Sequence, residues 1–113
     1  KKRGIFDGDL IALVDNNTLS RTEHCALMIQ AAPNGKIIGE KTQQAISNIA
    51  LISLPGNFNA YFTSINHISK DGIPVQEDGI KIDIPVSYSI EGIRKGKDEI
   101  LTKAIEYLET NKE

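Results

Sequence analysis

The sequence predicts an α/β fold with a mixed sheet. An apolar run of strand length is followed by a capped helix and a second short strand, an order that favours a right-handed parallel crossover. Two later segments of strand length are expected to pair as an antiparallel hairpin. The 113 residues allow one domain, and 40% hydrophobic but only 5% aromatic residues predict an aliphatic core.

The predicted crossover begins with the apolar run Leu10–Val14, which suits a strand buried on both faces. A turn at residues 15–18 follows, and Ser20 and Glu23 then match a capping box. This pattern predicts a helix over residues 20–32 with Ser20 as N-cap, and with Cys25 as a small core residue. A Pro-Asn-Gly turn ends the helix, and residues 36–40 form the second strand.

The second half of the chain supplies the remaining elements. Residues 48–54 and the alternating residues 60–68 predict the hairpin, and residues 80–84 predict a short strand before Pro85. A helix is expected from about residue 93 to 111. Its buried stripe comprises Ile100, Leu101, Ala104, Ile105 and Leu108. The basic residues 1–4 are interpreted as an exposed lead-in.

Composition excludes several classes of function. The net charge of −2 gives no electrostatic case for nucleic acid or an anionic membrane. No apolar run approaches the ~20 residues of a membrane-spanning helix. One Cys excludes an internal disulfide and a Cys-based zinc finger, and the two His stand far apart in the sequence. We therefore expect neither a metal nor a cofactor.

Ser20 is the most informative position for chemistry. It follows a buried strand and a turn, and it begins a helix, whose N-terminal N–H groups favour negative charge. A nucleophilic serine placed there would have support for an oxyanion. Equally, a serine in this position caps a helix without any catalytic role. The local pattern alone leaves both readings open.

The segment Ile-Ala-Leu-Val-Asp-Asn-Asn-Thr-Leu-Ser-Arg-Thr-Glu at residues 11–23 resembles the nucleophile segment of the C-terminal processing (tail-specific) serine peptidases, a family that includes the tricorn-core peptidases. The Gly-Glu-Lys-Thr sequence at 39–42 is similar to the Gly-Glu-x-Thr element that closes the next strand in that family. Residues 71–85 resemble its closing segment, with Asp83 expected to hydrogen-bond to backbone and Ile82 in place of the family Pro. The resemblance covers roughly residues 9–110.

The resemblance implies a crotonase/Clp-protease-like mixed sheet with flanking helices. Residues 1–113 would be a single domain, the C-terminal portion of a peptidase catalytic core, without its upstream parts and any PDZ domain. Ser20 falls on the nucleophile, and the backbone N–H of Arg21 would be one oxyanion donor. The substrate would be a peptide or protein, the location would be outside the cytoplasm, and assembly into a homo-oligomer is left open.

Two further positions, Ala45 and Gln76, depart from the family pattern. Ala45 stands where many members carry a general-base Lys. Gln76 occupies the position of a Glu used by the tricorn-like branch, with Glu77 one residue later. That branch takes its His base from an earlier segment, so a base from outside this chain is expected.

Two histidines offer weaker alternatives within the chain. His24 lies one helical turn after Ser20, so a Ser20–His24 pair is one interpretation and a surface histidine is the other. His67 lies in a predicted strand without an acidic neighbour on its face.

Two functions follow from these observations. The first is a serine-type peptidase, incomplete or inactive as the isolated chain. The second is a non-catalytic peptide- or ligand-binding module with the same fold, which Ala45 and Gln76 favour.

Overall fold

The structure, a computed structural model, describes residues 6–111, and the predicted basic lead-in lies outside that range. Helices and strands alternate along the first part of the chain, an antiparallel pair follows, and helices end it. In chain order the elements are β1 (Leu10–Val14), α1 (Arg21–Ala31), β2 (Gly35–Gly39), β3 (Ile49–Leu54), β4 (Phe58–Thr63), α2 (Val75–Asp78), β5 (Ile84–Pro85), α3 (Ile90–Arg94) and α4 (Glu99–Thr110).

The predicted β-α-β unit is confirmed. Strands β1 and β2 pair in parallel from Leu10 opposite Gly35 to Val14 opposite Gly39, and β5 joins the other side of β2. Helix α1 packs on this sheet, and an aliphatic core forms between them. Its fully buried side chains include Ile37, Ile46 and Val75. The α/β class is confirmed, with parallel and antiparallel pairs in separate sheets within the described residues.

Burial on both faces of β1 was the wrong expectation. Ala12 and Val14 are buried, but Leu10 is 36% and Leu13 42% exposed. These two side chains are exposed because β1 forms one edge of the three-stranded sheet and α4 covers its second face only in part. Cys25 is also exposed rather than part of the core. It lines an open depression of about 410 Å³ between β1 and α1.

The predicted antiparallel hairpin is confirmed, with Ile49 opposite Thr63 and Leu54 opposite Phe58. Its second strand begins earlier than predicted and ends at Thr63, after which only an isolated bridge joins Ile68 and Pro74. The hairpin projects from the rest of the molecule. The radius of gyration is accordingly 17.6 Å, against about 13 Å for a compact domain of this length.

The hairpin exposes apolar side chains on both faces. Phe58 and Tyr61 are each 69% exposed. On one face every residue is apolar, since the pairs are Ala50–Phe62, Ile52–Ala60 and Leu54–Phe58.

The closing segment contains less strand than predicted. β5 is limited to Ile84 and Pro85, although the Asp83 N–H before it already donates to the Ile37 carbonyl of β2 at 2.9 Å. Asp83 explains part of this, because its carboxylate accepts a hydrogen bond from the Ile37 N–H at 2.8 Å in place of a backbone partner. This contact confirms the expected backbone-binding role of Asp83. The short helix α2 was not predicted.

The terminal helix is broken in two. Gly96 adopts φ +65°, and the Lys97 N–H returns to the Gly92 carbonyl, so α3 ends there. Asp98 then caps α4 by accepting a hydrogen bond from the Leu101 N–H. Within α4, Ile100 and Ala104 are buried as predicted, whereas Leu101 and Ile105 are about half exposed.

Candidate active site

Ser20 occupies a tight turn between β1 and α1. The Thr22 N–H donates to the Leu19 carbonyl at 3.2 Å, which closes a β-turn with Ser20 at its second position. Ser20 has φ 55° and ψ −117°, the angles of a type II′ turn, in which this position normally takes glycine. A side chain held in such a conformation costs roughly 1–3 kcal/mol, and such strain clusters at active sites. The predicted place of Ser20 as N-cap of α1 is confirmed.

The turn before Ser20 is fixed by Asp15. Its carboxylate accepts hydrogen bonds from the side chain and the N–H of Asn17 and from the Thr18 hydroxyl. These bonds hold the pKa of Asp15 below its ordinary value, and the bond from the Asn17 side chain has the largest effect. The Asp15 N–H in turn donates to the Thr18 hydroxyl oxygen at 3.0 Å. The path of the chain into Ser20 is therefore defined by side chain–backbone contacts.

Glu23 joins the Ser20 turn to the loop after β2. It is fully buried, and its Oε2 accepts from the Ser20 N–H at 2.7 Å and the Ala45 N–H at 3.0 Å. Its Oε1 accepts from the Thr42 hydroxyl at 2.6 Å and the Gln44 N–H at 2.9 Å. Four donors converge on one carboxylate, so Glu23 does more than the predicted capping box requires.

The loop at residues 42–45 contains the position at which the resemblance implies a general base. Ala45 has an exposed side chain and offers no base. Gln44 adopts φ +60°, and its side chain packs over the backbone of Gly79, where any Cβ would lie 2.8 Å from it. Within the described residues its Nε2 is buried without a hydrogen-bond partner. The loop is thus held by its backbone bonds to Glu23.

Gln76 is occupied in binding backbone. Its side-chain amide donates to the Ile46 carbonyl at 3.3 Å and the Ile65 carbonyl at 3.2 Å. It thereby ties α2 to the segments on either side of the hairpin. Glu77 lies in α2, and its side chain is outside the described part of the structure.

Arg21 is the first residue of α1. The first N–H groups of a helix have no acceptor within the helix, and they carry the positive end of its dipole. The role of the Arg21 N–H as an oxyanion donor stays a prediction.

The structure brings Ser20 together with both histidines, which the sequence placed far apart. A small cavity of about 30 Å³ is lined by Ser20, His24 and His67, together with Asn48 of the hairpin. The two imidazole rings lie with their centroids 5.0 Å apart and their planes at 57°. The helical spacing of Ser20 and His24 was a signal of this cluster. No sequence pattern indicated that His67 lies near Ser20, because its position depends on the irregular segment after β4.

Two absences complete the description of residues 6–111. No three His, Cys, Asp or Glu side chains in this range are grouped as a metal site would need. None of the helices in the same range has the length and apolar character needed to span a membrane.

A turn that strains a serine at the start of a helix, beside an N–H donor and imidazoles, is the type of site found in serine hydrolases. Residues 1–86 match the family model of peptidase family S41, and the chain belongs to that family. In three dimensions it is similar to the crystal structure of a "putative peptidase" from Parabacteroides merdae ATCC 43184, with a TM-score of 0.82 and 22% identity. The match covers 96% of this chain and 34% of that one, so the chain spans about a third of that protein's length. The curated proteins contain no match.

Proposed function

We propose that the chain carries the nucleophile of a serine-type peptidase and that this nucleophile is Ser20. The observation that carries the proposal is the backbone of Ser20, with φ 55° and ψ −117° at a strand–turn–helix junction. A simple helix cap needs only extended backbone angles, as Ser89 and Asp98 show at the caps of α3 and α4. The strained turn at Ser20 therefore supports a role beyond capping.

In the proposed reaction the Ser20 hydroxyl oxygen attacks the carbonyl carbon of a peptide bond. The electron pair of the C=O bond moves to its oxygen, and the Arg21 N–H donates a hydrogen bond to the resulting oxyanion. The tetrahedral intermediate collapses, the C–N bond breaks, and the amine leaves with a proton. Water then hydrolyses the acyl-enzyme. The substrate class, a peptide or protein, follows from membership of the S41 family.

A non-catalytic binding module is the second candidate, and Gln76 favours it. The resemblance assigns an acid to this position, but the Gln76 amide binds two backbone carbonyls instead. In a binding module, the pocket at Ser20 would hold a peptide without attacking it.

A fluorophosphonate probe separates the two candidates, because it phosphonylates activated serines without requiring turnover. We expect intact-mass spectrometry of the treated 113-residue chain to show one adduct, and peptide mapping to place it on Ser20. Ser47 is a matched control. It lines the same cavity, but its hydroxyl is bonded to the carbonyls of Asn48 and Ile65.

Ser20→Ala should therefore abolish the adduct, and Ser47→Ala should leave it unchanged. An adduct that survives Ser20→Ala, or a wild-type chain that stays unlabelled at every pH tested, would favour the binding module.

A further inference from the structure

The cluster at Ser20 contains a pair of imidazoles that the proposed nucleophile chemistry has not yet used. His24 comes from α1, and His67 comes from the segment after β4. Their rings are close enough to restrict each other's rotation. Both line the cavity that contains Ser20. Histidine is the side chain that most often takes a proton from a nucleophile in proteins.

His24 lies in the first turns of α1, close to Ser20 in the chain. The His24 N–H donates to the Ser20 carbonyl at 3.2 Å. Side chains on a helix tilt toward its N-terminus, which is where Ser20 stands. Both residues line the same small cavity.

The cavity between these groups can hold water. Its volume is about 30 Å³, above the roughly 10–15 Å³ that one water requires. Transfer of a proton from the Ser20 hydroxyl to an imidazole nitrogen can therefore proceed through a water.

His67 is positioned to support His24. It is half-buried, and its carbonyl accepts a hydrogen bond from the Val75 N–H at 2.9 Å, which fixes its backbone to the start of α2. Its ring lies beside that of His24, with the two centroids 5.0 Å apart. A base that is held by a third group is the arrangement common to serine nucleophiles.

The charged groups around the pair are cationic. Arg21 lines the cavity at Ser20, and Lys70 lines the adjoining depression that both histidines share. Lys70 donates to the Gln30 carbonyl at 3.0 Å. The carboxylate of Glu23 is turned toward the loop at residues 42–45 instead. No carboxylate whose side chain the structure describes lines either of these two cavities.

We infer that His24 is the general base for Ser20 and that His67 is its positioning residue, an inference that rests on the proposed function. The imidazole nitrogen of His24 takes the hydroxyl proton as the bond from oxygen to the carbonyl carbon forms. The resulting imidazolium returns that proton to the leaving amine as the C–N bond breaks. The base thus lies within this chain, in contrast to the resemblance, which implies a histidine from an earlier segment.

The test is the rate at which the fluorophosphonate probe labels the 113-residue chain, measured from pH 5 to 9 in wild type and variants. In this reaction the Ser20 oxygen bonds to phosphorus, fluoride leaves, and the base takes the proton. For wild type the rate should rise between about pH 5 and 8, where imidazoles lose their proton. His24→Gln should slow labelling about 100-fold or more at pH 7.5 and abolish that rise. His67→Gln should cause a smaller loss at pH 7.5 and should keep the rise with pH, because His24 is still present.

Cys25 provides a matched control, because it follows His24 on α1, is exposed and lines neither the Ser20 cavity nor the adjoining depression that both histidines share. Cys25→Gln should label like wild type. Circular dichroism and urea midpoints check that each variant is folded, and His24→Asn serves as a second replacement.

The outcomes separate the two proposals. Labelling of Ser20 in His24→Gln and His24→Asn at the wild-type rate and with the wild-type pH profile overturns the base assignment and leaves the nucleophile intact. A larger loss in His67→Gln than in His24→Gln overturns the assigned roles. A wild-type Ser20 that is never labelled overturns the proposed function itself.

Discussion

Ser20→Gly should stabilise the protein and abolish its reaction with the fluorophosphonate probe. Releasing the strained φ of +55° is worth roughly 1–3 kcal/mol. Glycine returns about 0.5–1 kcal/mol through its greater freedom in the unfolded chain, and as an N-cap it costs only a few tenths of a kcal/mol. At the middle of these ranges the net change is a gain of about 1 kcal/mol in the free energy of unfolding.

Ser20→Ala should behave in the opposite way. Alanine keeps the strain and lacks the serine oxygen, so we expect a loss of about 1 kcal/mol. The Ser20→Gly variant should therefore be more stable than the Ser20→Ala variant by about 1.5–2.5 kcal/mol. At an unstrained position the order of the two variants would be the reverse.

Urea unfolding followed by circular dichroism measures these differences, and Asn57→Gly is the control. Asn57 also has a positive φ, 63°, but Asn tolerates this region, so its replacement should change stability little. If Ser20→Ala equals or exceeds Ser20→Gly in stability, the backbone at Ser20 is not strained and the main support for the nucleophile is lost.

Three further predictions follow from the same contacts. Glu23→Gln should lower the free energy of unfolding by about 3 kcal/mol, because the amide NH₂ then faces two of the four buried donors. Urea titrations measure this loss, and a change smaller than the error of the titration would contradict the prediction. The protein should unfold more easily below pH 4. Hydrogen bonds from Asn17 to Asp15 and from the Ser89 N–H to Glu99 lower the pKa values of both carboxyl groups. The stabilisation that these carboxylates give is therefore present above their ordinary pKa values of 3.8 and 4.5, and it is lost as the pH falls through their folded-state pKa values. Asp15→Asn with Glu99→Gln should flatten that part of the pH profile of the urea midpoint, and an unchanged slope would be the contrary result. The isolated 113-residue chain should not cleave unstructured peptides measurably by mass spectrometry, because Arg21 is the one oxyanion donor assigned to it and each missing donor costs about 100-fold or more; Ser20-dependent cleavage would show that the chain is sufficient.

The first half of the fold was predictable because local signals agree there. The apolar run of β1, the capping pair Ser20 and Glu23, and the turn after α1 each mark an element boundary that the structure retains. The second half was less predictable, since tertiary contacts decide it. Asp83 bonds to the Ile37 N–H and limits β5 to two residues, and Gly96 divides a helix whose apolar pattern continues across the break.

The positions of Ser20 and Arg21 at the start of α1 were predictable from the strand–turn–helix order, and their chemical roles stay predictions. The four bonds to Glu23 were not predictable, because three of the donors come from residues 42–45 across the fold. The meeting of His24 and His67 depends on an irregular segment, for which sequence periodicity gives no position.

A crystal structure of the fluorophosphonate-treated chain tests the central claim most directly. The account predicts continuous density from the Ser20 oxygen to phosphorus, with a phosphonyl oxygen about 2.7–3.1 Å from the Arg21 nitrogen. Phosphorus on any other residue, or a phosphonyl oxygen directed away from the N-terminus of α1, would contradict the assignment of Ser20 as nucleophile and of Arg21 as oxyanion donor.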